Sequence, residues 1–104
     1  MELRNLKTFQ VVAEELNITK AAKHLKYTQP TITLQIQSLE KELNHTLLTR
    51  VGKKTLLTTA GKKLKAHVDH LFDLVEKIEK DMEELREPSG VLTIAASEYY
   101  CTRH

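Results

Sequence analysis

Hydrophobic residues recur at helical spacing along the start of the chain: Leu3, Leu6, Phe9, Val12, Ala13 and Leu16 fall on one stripe. Steps of three and four residues are the period of an amphipathic helix, so a first helix is expected over residues 3–16. Asn17-Ile18-Thr19 interrupts the pattern. Thr19 is the expected N-cap of a short second helix, residues 20–26, because its hydroxyl can accept an orphan backbone N–H. Ala21, Ala22 and Leu25 face inward there, and the small alanines permit close helix–helix approach. After the tight connection Tyr27-Thr28, Ile32, Ile36, Leu39 and Leu43 step by 4, 3 and 4 and mark a third helix. Thr28 can cap it. Pro30 is tolerated because its missing N–H falls in the first turn. Two helices joined by so short a turn form a helix-turn-helix.

The pattern changes after Asn44-His45-Thr46. Leu47–Arg50 and Thr55–Thr58 are short strand-like runs, separated by the basic turn Val51-Gly52-Lys53-Lys54. A small β-hairpin, or wing, is expected, with Gly52 supplying the turn's backbone freedom. From Thr59 to Glu87 one long helix is expected, capped by Thr58 or Thr59. Along it Leu64, Val68, Leu71, Val75, Ile78, Met82 and Leu85 alternate by four and three, an a/d heptad seam. Such a helix spans roughly 43 Å at 1.5 Å per residue. It outruns a domain of about sixty residues, so its seam is expected to pair with a second copy. Pro88-Ser89-Gly90 ends it, and Val91–Ala96 reads as a strand with no neighbour to pair with. The expected fold is mainly α. A winged helix-turn-helix, with three helices and a β-hairpin wing, fills 1–58. A coiled-coil-forming linker helix follows over 59–87. The hinge and first strand of a truncated effector-binding domain occupy 88–104.

Charge adds a partner to this picture. Residues 1–65 carry a balance of +7 and residues 66–104 one of −5. Six bases and no acid lie between Arg50 and Lys65. A basic front half suggests a polyanion. Yet no Lys or Arg lies between Lys26 and Lys41. With Ile32, Ile36, Leu39 and Leu43 buried, Pro30, Leu34, Gln37 and Lys41 occupy the opposite face, Thr33 flanks it and Gln29 stands at the helix entrance. Gln can pair bidentately with adenine, and Thr can bond bases or touch the thymine methyl. The candidate DNA-binding residues are therefore Thr28, Gln29, Pro30, Thr31, Thr33, Leu34 and Gln37 on the helix, with Arg50, Lys53 and Lys54 on the wing reaching phosphates or an adjacent minor groove.

Other chemistry finds little support. The only glycines are Gly52, Gly61 and Gly90, so there is no glycine-rich phosphate loop. His67 and His70 lie three apart beside Asp69 and Asp73, but zinc usually takes three or four protein ligands. They read as solvated side chains, and no metal, cofactor or catalytic group is expected. Cys101 is a single cysteine and is given no role. No apolar run approaches the roughly 20 residues of a membrane span, and Met1-Glu2-Leu3-Arg4 has no signal-peptide pattern. A cytoplasmic protein that is not an enzyme is expected, with no membrane partner.

The stretches LRNLKTFQVVAEELNITKAAKHL, TQPTITLQIQSLEKEL, LLTRVGKKTLLTTAG and GVLTIAAS together resemble the N-terminal part of a LysR-type transcriptional regulator, over residues 1–97. The resemblance implies sequence-specific binding of double-stranded DNA at an interrupted palindrome. It implies a linker helix pairing antiparallel with its twin in a homodimer, and a tetramer in some full-length forms. A small-molecule effector would bind only where the C-terminal sensor domain is present. By that resemblance, Gln29, Pro30 and Thr33 lie in the major groove, Arg50 contacts phosphate and Lys53 enters the flanking minor groove. The chain departs from the family's habits. Threonine replaces the usual serine at 28 and 33, Leu34 stands where arginine is common, and Leu48 and Thr49 replace phenylalanine and glutamate. An alternative role is a dimerisation or protein-interaction fragment that pairs with full-length regulator subunits.

Overall fold

The computed structural model describes residues 1–86. In chain order it contains α1 (Leu3–Glu15), α2 (Ile18–Leu25), α3 (Gln29–Leu43), β1 (Leu48–Val51), β2 (Lys54–Leu57) and α4 (Thr59–Glu84). The expected strand at Val91–Ala96, the hinge, Glu87 and Cys101 lie outside the described residues.

Helix α1 supplies the centre of the core. Leu6, Phe9, Val12 and Ala13 are buried, and Phe9 and Val12 are fully enclosed. Fully burying side chains of this size contributes about 1.5–3 kcal/mol each. Ala21 and Ala22 of α2 meet this surface, as do Ile32, Ile36 and Leu39 of α3, and the three helices pack pairwise. Leu25 and Leu43, expected to face inward, are half-buried. Two residues of the expected α1 stripe stay outside. Leu3 sits in the first turn, beyond the core's edge, and is 52% exposed. Leu16 takes a left-handed backbone, φ 50°, as the C-cap, which breaks the helical phase and leaves it 41% exposed.

The start of α2 corrects the sequence reading. Asn17, not Thr19, is the N-cap: its backbone is extended and its Oδ1 accepts from the Lys20 N–H at 2.9 Å. An Asn one turn before the buried alanines caps at least as well as Thr. The helix therefore begins at Ile18, and Thr19 lies inside its first turn.

The wing is tighter than expected. Its register pairs Leu48 with Leu57, Thr49 with Leu56, Arg50 with Thr55 and Val51 with Lys54. Only Gly52 and Lys53 remain in the turn. Gly52 has φ +63°, the left-handed backbone that a two-residue hairpin needs at its first central position.

Several contacts fix the base of the wing. Glu40 Oε2 of α3 accepts from the Leu47 N–H at 2.7 Å and the Leu48 N–H at 3.4 Å. Thr58 caps α4, its hydroxyl oxygen accepting from the Gly61 N–H at 3.0 Å while donating to the Thr46 carbonyl at 2.6 Å. Gly61 presses on the same strand base, since a Cβ there would stand 2.2 Å from the Leu47 carbonyl oxygen.

The chain divides into two compact units, Met1–His70 and a second that begins at Leu71. The first unit includes the opening turns of α4. There Asp69 Oδ1 accepts from Gln10 Nε2 of α1 at 2.9 Å and from Lys65 Nζ at 2.8 Å. Val68 is 1% exposed and serves the core of its own chain, so it has no apolar surface left for the intermolecular seam expected of it. In the second unit α4 continues to Glu84, three residues short of the expected end. Ile78, Met82 and Leu85 are 47%, 54% and 77% exposed, as is Leu74 at 54%. Leu64, Leu71 and Val75 are half-buried.

Candidate nucleic-acid interface

The entrance of α3 is built by two hydroxyls. Thr28 has an extended backbone, and its Oγ1 accepts from the Thr31 N–H at 3.3 Å. The Thr28 and Thr31 hydroxyls are also hydrogen-bonded to each other at 2.9 Å. Both side chains are thus engaged in capping, and Thr31 is half-buried. Pro30 sits in the first turn as expected. Behind this entrance Ile32, Ile36 and Leu39 lock the helix to the core, which turns the other side outward. Gln29, Pro30, Thr33, Leu34 and Gln37 are all exposed, Leu34 at 66%.

The wing has two faces, because cross-strand partners share a face and successive residues alternate. Arg50 and Thr55 form one pair on the inner face, and Thr55 is buried. Val51 and Lys54 form a pair on the outer face. Arg50 thus shares the face of buried Thr55 and Lys54 lies on the opposite one, whereas Lys53 belongs to the turn.

An open groove of about 420 Å³ lies between these elements. Thr19 and its neighbours at the start of α2 form one wall, Gln29 and Thr33 of α3 the floor, and Arg50, Lys53 and Thr55 of the wing the other wall. Four of the sequence-derived candidates, Gln29, Thr33, Arg50 and Lys53, thus meet in one concavity. Pro30, Leu34 and Gln37 are exposed on α3 but do not line it, and neither does Lys54. No acidic residue lines the groove. Two cationic side chains and the N-terminal turns of α2 and α3, with their partial positive charge, favour an anion there. Side-chain amide and hydroxyl groups beside those cations offer donors and acceptors of the kind that read base edges.

Within the groove, Gln29 Nε2 donates to the Thr19 hydroxyl at 3.2 Å. Sequence reasoning placed Thr19 as a cap and so missed its position here. Glu40, which anchors the wing to α3, likewise carries no distinguishing pattern in the sequence. The absence of a positive charge in the first turns of α3 was the one available signal that the cations must come from elsewhere.

The only perturbed titration resolved among the described residues lies away from this groove. Hydrogen bonds from Lys65 and then Gln10 stabilise the Asp69 carboxylate and lower its pKa from 3.8, outweighing a small opposing effect of burial. Among the described residues, no group of three or more His, Cys, Asp or Glu side chains is placed to hold an ion.

Residues 3–62 match the model of the bacterial regulatory helix-turn-helix proteins of the lysR family. The chain belongs to the lysR family. Its sequence is 42% identical over 102 residues to YwqM, an uncharacterized HTH-type transcriptional regulator of Bacillus subtilis (strain 168); the match covers 98% of this chain and 35% of that protein. This lysR-family chain therefore spans about a third of the length of the curated relatives it matches. Among solved structures it is similar to the DNA-binding domain of BenM in complex with benA site 1 DNA. The TM-score is 0.79 at 35% identity, covering 83% of this chain and all of that one. The DNA-binding domain of CbnR bound to DNA is similar too, with TM-score 0.75 at 37% identity, covering 81% and 97%. The lysR-family fold here is a winged helix-turn-helix followed by a long helix, as the hydrophobic pattern predicts.

Proposed function

We propose that the chain binds double-stranded DNA in a sequence-specific manner as a homodimer, as the N-terminal part of a transcriptional regulator. The observation that carries this reading is the groove that sets Gln29 and Thr33 beside Arg50 and Lys53. The exposed end of α3 enters the major groove, where Gln29 and Thr33 read base edges, with Pro30, Leu34 and Gln37 alongside. Arg50 contacts a phosphate, and Lys53 at the wing tip reaches the flanking minor groove. Lys54, on the outer face of the wing, adds charge without facing the bases. Thr28 and Thr31 shape the helix entrance. A two-fold dimer places two such surfaces on half-sites about one helical turn apart, or multiples of that, so the target is an interrupted palindrome. The apolar row Leu74, Ile78, Met82 and Leu85 supports pairing through α4, with Leu71 and Val75 beside it. The chain is a regulator and not an enzyme, and it works in the cytoplasm, where its DNA is.

An A/T-rich interrupted palindrome is expected to shift with the purified chain in a gel, with affinity falling steeply as salt rises. Equal binding to a scrambled duplex at physiological salt would overturn sequence-specific recognition. The same apolar row would also admit mixed dimers with a full-length regulator. That second role is distinguished by mixing tagged full-length and short chains and asking whether heterodimers form.

A further inference from the structure

We infer that Thr19 is a positioning residue for base reading: its hydroxyl holds the Gln29 side-chain amide in the orientation that accepts adenine. This inference rests on the DNA-binding reading above.

Thr19 is released for the task by its neighbour. Asn17 takes the cap of α2, so the Thr19 hydroxyl is not needed by the helix. It lies at the groove wall and accepts from Gln29 Nε2 at 3.2 Å. A glutamine amide has two N–H donors and one carbonyl oxygen with two acceptor sites. Thr19 takes one donor. What remains is one N–H and the Oε1, the pair that adenine N7 and N6–H₂ require. A free glutamine on an exposed helix start samples many rotamers and both amide orientations, and ordering it on the DNA costs affinity. The bond to Thr19 reduces that cost before the DNA arrives. In the geometry seen here the hydroxyl accepts from Nε2, which leaves Oε1 and one N–H toward the base edge.

The test begins by selecting duplexes from a randomised pool with the unaltered chain. Gln29→Ala then identifies the base pair whose replacement no longer matters. At that base pair, Thr19→Val, which keeps the branched shape and removes the hydroxyl, is expected to reduce discrimination about two- to tenfold, the scale of one neutral hydrogen bond. Thr19→Ser is expected to restore it. Thr19→Val combined with Gln29→Ala is expected to discriminate no worse than Gln29→Ala alone. The thermal midpoint of Thr19→Val is expected to stay at the unaltered value, because Asn17 carries the cap. The inference is overturned if Thr19→Val weakens binding to every duplex equally while preference at the Gln29 position is unchanged, for Thr19 would then be a phosphate contact. It is overturned as well if the losses from the two substitutions simply add. If the pool yields no enriched sequence at all, the DNA-binding reading itself fails and the inference falls with it.

Discussion

Gln29 and Lys53 share a groove but carry different chemistry, and they are expected to fail differently. In the proposed complex Gln29 offers a directional amide to a base edge, whereas Lys53 offers a point charge on a flexible stem. Gln29→Ala is expected to narrow the affinity gap between target and scrambled duplex by about 1–3 kcal/mol, the value of one well-read base pair. Lys53→Ala is expected to weaken binding to both duplexes alike and to reduce the slope of log affinity against log salt by about 1. Titrations of both variants against both duplexes at several salt concentrations check this, and the reverse pattern rejects the assigned roles. Leu34 is the other residue of interest on α3. It is 66% exposed and has no polar group, so contact with a thymine methyl is the base contact open to it.

At the scale of elements, the caps and the α1–α4 link can be tested by stability. Asn17→Ala removes the acceptor for the Lys20 N–H and is expected to lower stability by about 1 kcal/mol, read from the urea midpoint. Thr19→Ala is expected to cost clearly less, since no helical N–H depends on it. The Asp69 link has a pH signature. Its carboxylate is favoured in the folded chain by Lys65 and Gln10, so its folded pKa lies below the ordinary 3.8. A depressed folded pKa means that the contribution is present above the unfolded pKa and is lost as pH falls through the folded value. The Asp69 side chain is 44% exposed, so solvent screening holds the contribution to no more than about 1 kcal/mol. The stability gap between the unaltered chain and Asp69→Asn is expected to be constant near neutral pH and to shrink below pH 3.8. A gap that stayed constant through acid would show that the link is not ionic.

At the scale of the whole molecule, α4 serves two purposes along its length. Its first turns belong to the core and the link to α1, whereas its later turns expose an apolar row. Ile78→Asp alters a side chain that is 47% exposed in the single chain, so folding is expected to be spared. It places a charge in the proposed dimer seam, so sedimentation is expected to show a monomer with an unchanged helical signal. Val68→Asp instead puts a charge where the side chain is 1% exposed, and desolvation of an unpaired carboxylate is severely destabilising. That variant is expected to lose its cooperative melt. A dimer that survives Ile78→Asp would reject pairing through this row.

Much of this was legible in the order of the residues. Periods of three and four located all four helices, because burial of one stripe is what stabilises an amphipathic helix. Gly52 and the basic turn located the hairpin, because few residues accept the backbone a tight turn needs. Charge distribution separated the polar face of α3 from the cations of the wing. Other features required the folded chain. Heptad spacing alone made Val68 and Ile78 equivalent, and only the packing inside the first unit singles out Val68 as a core residue. Sequence pointed to Thr19 as the cap of α2, and the extended backbone at Asn17 moved the cap two residues earlier. The meeting of Thr19, Gln29, Thr33, Arg50 and Lys53 was likewise a tertiary matter. Local period fixes which way a side chain points on its own element, but which elements face each other depends on contacts between residues far apart in the chain.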